Sequence, residues 1–198
     1  EATNINVFAT ASIDYVYNSN LAEAAINMVQ YSRADSVYIA TTPDYNMYLP
    51  DATDPQAIIY PQEAVDNLDN TGIDSNYTAT YYPWILTRDT VNNTQIYLPP
   101  TGEVCRNLAL TDNIAFPWFA SAGYTRGLVN SIKARVKLTQ EDRDTLYQGR
   151  INPIATFADV GTVIWGNKTL QVADTALNRL NVRRLLLQAR KLISAVAV

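Results

Sequence analysis

Polar and apolar positions alternate from Asn4 to Ala11 (NINVFATA), the period of a half-buried strand. Asn20 then stands where it can cap a run in which Leu21, Ala25, Met28 and Val29 recur at helical spacing. Ser36 to Thr41 (SVYIAT) reads as a second strand. Strand, helix and strand in such close succession predict a βαβ unit, with the two strands parallel and joined by a right-handed crossover.

From Thr42 to Ser75 the pattern breaks into Pro, Asp and Asn, which predicts a long surface loop. One short helix interrupts it over Pro61 to Leu68, where proline suits the first turn. Tyr77 to Arg88 and Thr94 to Leu98 are β-rich runs separated by the turn formers Asp89, Asn92 and Asn93, so they predict a hairpin. Pro83 lies inside the first arm, which must therefore be an edge strand or carry a break. Leu128 to Leu138 fits strand or helix. Thr139 caps a helix over Gln140 to Gln148, with Asp142 in the reciprocal capping-box position and Gly149 at its end. Thr162 to Trp165 is a short strand.

The last segment has the clearest periodicity. Val182, Leu185, Leu186, Ala189, Leu192, Ile193 and Val196 step by three and four along one side of a helix, the side expected to face a core. These elements predict an α/β fold, with α+β as the neighbouring possibility. It would contain a mixed sheet flanked by helices, a β-hairpin insertion and a long C-terminal amphipathic helix. Residues 1–198 would make a single domain, with the βαβ-like part and loop in 1–75 and the hairpin, helices and short strands in 76–198.

At 198 residues and 47% hydrophobic content the chain can bury a sizeable core. Its 15 basic and 19 acidic residues are unevenly placed: residues 1–87 hold Arg33 as their only cation, and no acid follows Asp174. The two halves could form surfaces of opposite charge that associate head to tail, or they could intermix on folding and cancel. Arg183, Arg184, Arg190 and Lys191 share the other side of the last helix. They form either a solvated face or a dock for an acidic partner surface. The 13 tyrosines suit interfaces and ordinary sheets alike.

Candidate chemistry is sparse. There is no histidine, which removes the common Ser-His-Asp and Cys-His relays and His-rich zinc sites. Cys105 is alone and can form no internal disulfide, which fits assembly in a reducing compartment. Asp66, Asp69 and Asp74 lack the spacing of a calcium loop, so no metal or cofactor is expected. Gly123 and Gly127 permit a tight turn, without the lysine pattern of a phosphate loop. Trp165-Gly166 reads as a buried anchor with a close backbone approach. Glu141, Asp142 and Asp144 could supply the paired carboxylates of a glycan-active enzyme, but at a helix start they suit capping and dipole complementarity. No apolar run reaches the roughly 18 residues of a membrane span, and a net charge of −4 offers no broad basic footprint for nucleic acid.

Five segments stand in a fixed order: Tyr81-Tyr82-Pro83-Trp84, Gly123-Tyr124-Thr125-Arg126-Gly127, Leu146 to Pro153 with Asn152 before the proline, Val163 to Leu170 around Trp165-Gly166, and Leu180-Asn181-Val182-Arg183-Arg184-Leu185. Together this series resembles the contractile tail sheath proteins of myophages. The resemblance implies a structural subunit, not an enzyme. Such proteins stack as hexameric rings around a tail tube and contract to drive the tube through the host envelope, delivering the genome. The resemblance also implies a virion-tail location, assembly in the host bacterial cytoplasm, and baseplate and terminator proteins as further partners. The family's terminal arms exchange strands with neighbours. This chain, starting at Glu1 and stopping after an apolar run from Ile193 to Val198, reads as the inner polymer-forming domain without those arms. Arg183, Arg184, Arg190 and Lys191 are the expected contact with the tube or a neighbour. A non-catalytic virion adhesin is the alternative from another class.

Overall fold

The computed structural model describes residues 5–49 and 57–197; residues 1–4, part of the predicted loop (50–56) and residue 198 lie outside them. Its main sheet has five strands, β1 (Val7–Asp14), β2 (Val37–Thr41), β3 (Thr78–Tyr82), β7 (Asn152–Phe157) and β8 (Gly161–Ile164), paired in that spatial order. The first four are mutually parallel and β8 closes the edge antiparallel to β7. The predicted parallel pair of β1 and β2 is thus present, and the fold is of the α/β kind.

The two central strands, VYIAT and TATYY, are buried at every position. That is the signature of a sheet covered on both faces. Their alternation divides the core: Tyr38, Ala40 and Tyr82 point to one side, Val37, Ile39, Ala79 and Tyr81 to the other. On the first side lie α1 (Ser19–Asn27), α2 (Pro61–Thr71) and α5 (Gln140–Gln148), through Ala22, Ala25, Ile26, Ala64, Leu68 and Leu146. On the second lie α3 (Thr101–Ile114) and α6 (Leu180–Val196), through Val104, Leu108, Leu180 and Leu187.

Several boundaries differ from the sequence expectation. Helix α1 starts after Asn18, whose side chain makes no cap bond; Asp14 takes the turn's amides of Val16 and Tyr17 instead. Leu21 lies outside the buried face, which is Ala22, Ala25, Ile26 and Val29, and the helix continues as a wider π-turn over Met28–Arg33. The run from Tyr77 carries the break expected at Pro83: the part before it is β3, in the main sheet, and only the part after it is a hairpin arm. The hairpin is β4 (Ile85–Asp89) with β5 (Thr94–Leu98), joined on the other edge of β4 by the short β6 (Lys133–Ala134). Helix α3 and strand β7 were not expected. The loop after β2 is less superficial than its composition suggests, since Thr42, Asp44, Ala57 and Ile59 are buried.

Helix α5 follows its local code. Thr139 accepts from the Asp142 amide while the Asp142 carboxylate accepts from the Thr139 amide, so two otherwise orphaned donors are satisfied. That use accounts for Asp142 structurally.

Candidate interaction surface

Helix α6 packs the opposite way round from its hydrophobic pattern. Its buried residues are Leu180, Arg183, Arg184 and Leu187, while Leu185, Leu186, Leu192, Ile193 and Val196 are exposed, the last two at 67% and 86%. The apolar stripe faces outward, while Arg183 and Arg184 of the cation row face the sheet; Arg190 is exposed and Lys191 half-buried. An arginine can line a core if its stem covers apolar surface and its guanidinium finds acceptors.

Both buried arginines find them. Arg183 donates to the Asn76 backbone carbonyl (3.3 Å) and side-chain oxygen, and its guanidinium lies 4.1 Å from the centre of the Tyr77 ring. Arg184 reaches both oxygens of Asp112 on α3, at 2.5 and 2.7 Å, with its side chain only 5% exposed. Arg190 donates to the Ala34 carbonyl, and Lys191 to Asn6 Oδ1 at 2.6 Å. For Arg184 this corrects the expectation that the row's counter-charge lies on another protein, since Asp112 supplies it; the acceptors named for Arg183, Arg190 and Lys191 are neutral. Asn76, Tyr77 and Asp112 were not singled out by sequence, because they lie 72 to 107 positions from the arginines they hold.

The other motif residues fall into two groups. One group braces the sheet. Tyr82 is buried and donates to the Ile59 carbonyl, and Trp84 Nε1 donates to the Thr42 carbonyl at 2.8 Å. Asn152, wholly buried, ties β7 to β3 and to the chain at Lys168. The Pro153 carbonyl accepts from the Trp165 amide at 2.8 Å. A Cβ on Gly166 would meet the Asn152 Cα at 2.8 Å, and one on Gly127 would meet the Ile164 carbonyl at 2.6 Å, so both positions require glycine for close approach. Asn181 accepts from Asn167 at 2.7 Å.

The second group is a surface cluster. Tyr124, Phe157 and Trp165 pack against one another with ring centroids 4.9 to 5.4 Å apart, beside α4 (Gly123–Arg126), where Gly123 takes φ +85°. Trp165 is 40% exposed, so the expected buried anchor is a half-exposed one. Arg126 donates to the Ala120 carbonyl and lies 5.0 Å over Phe119, part of a neighbouring stack with Phe116 and Trp118.

Asp44 is a carboxyl strongly perturbed by its surroundings. Burial pushes its carboxyl up to about 6, against the pull of Arg135, whose Nη1 is 2.9 Å away. An unfolded Asp titrates near 4, so between roughly pH 4 and 6 the folded chain holds a proton the unfolded chain has lost. Stability from this group is present below the lower value and lost as pH rises through the upper one. We expect Asp44 to lower stability by up to about 3 kcal/mol between pH 4 and 7. Thermal melts should show that slope in the wild type and a flatter one in Asp44→Asn; identical slopes would refute it.

Among the described residues no group of three or more His, Cys, Asp and Glu side chains is placed to hold a metal, and no helix is long and apolar enough to cross a membrane. No family model matches the chain. It is 36% identical over 141 residues, 69% of its length, to the tail sheath protein of Vibrio phage KVP40, and 34% identical over 135 residues to that of Enterobacteria phage T4. The chain spans about a fifth of the length of these curated relatives, 20% in each case. Its fold matches the contracted helical sheath of the anti-feeding prophage, with a TM-score of 0.66 and 24% identity over 96% of this chain and 46% of that one. It also matches the contracted PVC sheath complex of an extracellular contractile injection system, with a TM-score of 0.68 and 20% identity over 100% of this chain and 49% of that one. The resemblance read from the five segments is therefore borne out: over about two thirds of its length this chain is a relative of the phage tail sheath proteins, and its fold is one seen in contractile sheaths.

Proposed function

We propose that the chain is the rigid α/β core of a sheath subunit, a structural part that polymerises as stacked hexameric rings around a tail tube and rearranges during contraction. The observation that carries this reading is the 36% identity to a tail sheath protein over 141 residues. The main sheet supports it, because parallel strands buried on both faces make a body suited to moving as a unit.

The same reading makes the protein structural rather than catalytic. Of the acidic trio at the start of α5, Asp142 is already engaged in the helix cap. It places the protein in the virion tail after assembly in the host cytoplasm, with the tail tube and baseplate or terminator proteins as partners, and it takes residues 1–198 as one domain. At α6, Arg183 and Arg184 are engaged within the chain, so the surface left for the tube is the outward apolar stripe with the exposed Arg190 at its side.

The full-length gene product should form long regular tubes visible by negative-stain microscopy. A monodisperse monomer at high concentration would overturn the proposal. The isolated chain should remain monomeric or nearly so, because lone non-covalent patches bind weakly.

A further inference from the structure

Helices α2 and α5 lie side by side. Tyr82 donates to the carbonyl of Ile59, just before α2, and belongs to the same core cluster as Leu138, just before α5, so the two N-terminal ends lie on the same side. At the other end a Cβ on Gly149 would press on Val65, and Arg150 reaches Asp69 at 2.6 Å. The helices therefore run the same way. Glu63 and Glu141 lie in the first turns, at the N-terminal end, and Asp144 midway along α5; among the described residues none of them is in an ion pair.

The second end opens into a polar cleft of about 460 Å³. Two of its lining carboxylates are already engaged: Asp69 with Arg150, and Asp174 with the Asn178 side chain at 2.6 Å. Two of its cations are not. Lys168 and Arg179 are neighbours across a β-bridge and rest on the same Tyr147 ring, 4.3 and 5.4 Å from its centre. Among the described residues neither has an ion-pair partner. Burial lowers the Lys168 pKa although Asp174 opposes it, as for a cation short of counter-charge. The helix dipoles favour acids at one end and cations at the other, but they do not explain why both sets lack partners.

We propose that the cleft at Lys168 and Arg179 receives the Glu141 and Asp144 carboxylates of a second copy of this chain, in a head-to-tail contact. The two surfaces are complementary in sign and belong to different ends of one layer. The contact is thus heterologous, and its repetition builds a ring or an open helix. This rests on the polymerising-subunit reading for its role in the intact protein. There, strand exchange between neighbours would raise the effective concentration of an intrinsically weak contact.

For the isolated chain we expect self-association with a dissociation constant on the order of 1 mM at low salt. It should appear as concentration-dependent amide shifts around residues 168–179 and 141–144, and it should fade as salt rises. K168E/R179E and E141K/D144K should each weaken it by at least about tenfold. Mixing the two variants should restore association, since each retains the end the other lacks. K168Q/R179Q, which adds no repulsion, guards against misfolding of the reversed pair and should weaken association likewise. Shifts that do not depend on concentration, or a mixture that fails to associate, would overturn the contact. In the full-length protein, tubes formed by K168E/R179E as readily as by wild type would remove the contact yet leave the sheath reading standing, whereas a wild type that never forms tubes would remove that reading itself.

Discussion

Asp112→Ala should destabilise the chain by about 3–5 kcal/mol, because it strands the Arg184 guanidinium in a site where only 5% of its side chain is exposed. Against a domain stability of roughly 5–15 kcal/mol this is a large fraction. The Arg184 Nη1 nitrogen already lacks a hydrogen-bond partner, so the remaining donors have no slack to absorb the loss. Removing both charges is a different matter. Arg184→Met with Asp112→Ala replaces a desolvated pair by apolar volume and should recover most of the loss, since a buried pair adds little net stability over a hydrophobic substitute. Urea unfolding of the two single variants and the double variant would measure the coupling directly. If Asp112→Ala cost less than about 1 kcal/mol, the buried arginine would have another source of compensation and the inward face of α6 would need reinterpretation.

That inward face marks the limit of what the sequence could show. Periodicity placed α6 correctly and identified its apolar side, but a hydrophobic stripe says only that one face is to be covered. Which face meets the sheet depended on Asn76, Tyr77 and Asp112, distant in sequence and brought close by β3 and α3. Codes confined to a few residues were legible, as the reciprocal cap of Thr139 and Asp142 shows. Strand β7 was hidden by Asn152 and Pro153, a polar residue and a proline that a central strand accepts only because specific partners satisfy them. Helix α3 was missed although Val104, Leu108 and Thr111 carry a helical spacing. The charge imbalance between the halves was visible, but not how much of it folding would cancel. Arg135 to Asp44 and Arg150 to Asp69 neutralise part of it within the chain. The candidate cleft is legible only in three dimensions, since Tyr147, Lys168 and Arg179 belong to separate segments.

Asn152→Leu should cost about 4 kcal/mol, more than its loss of a single polar side chain suggests. Asn152 Nδ2 donates to the Thr80 carbonyl at 3.0 Å and the Lys168 carbonyl at 2.8 Å, and its Oδ1 accepts from the Lys168 amide at 2.6 Å. The residue is wholly buried, so leucine, of similar size, would leave three backbone groups without water to replace their partner. Asn152→Asp keeps the acceptor but removes both donors and buries a carboxyl against two carbonyls, and it should fare no better. Gly166→Ala tests the same junction from the other side, where the added methyl meets the Asn152 Cα at 2.8 Å. The connection to assembly runs through Lys168, whose backbone Asn152 holds on both its amide and its carbonyl. A variant loosened here should lose Lys168 from its place over Tyr147, so the shifts that report self-association should weaken around residue 168 even where the fold survives. Urea unfolding would give the stability term, and a loss below about 1 kcal/mol would mean that Asn152 is not the bond holding β7, β3 and the cleft in one piece.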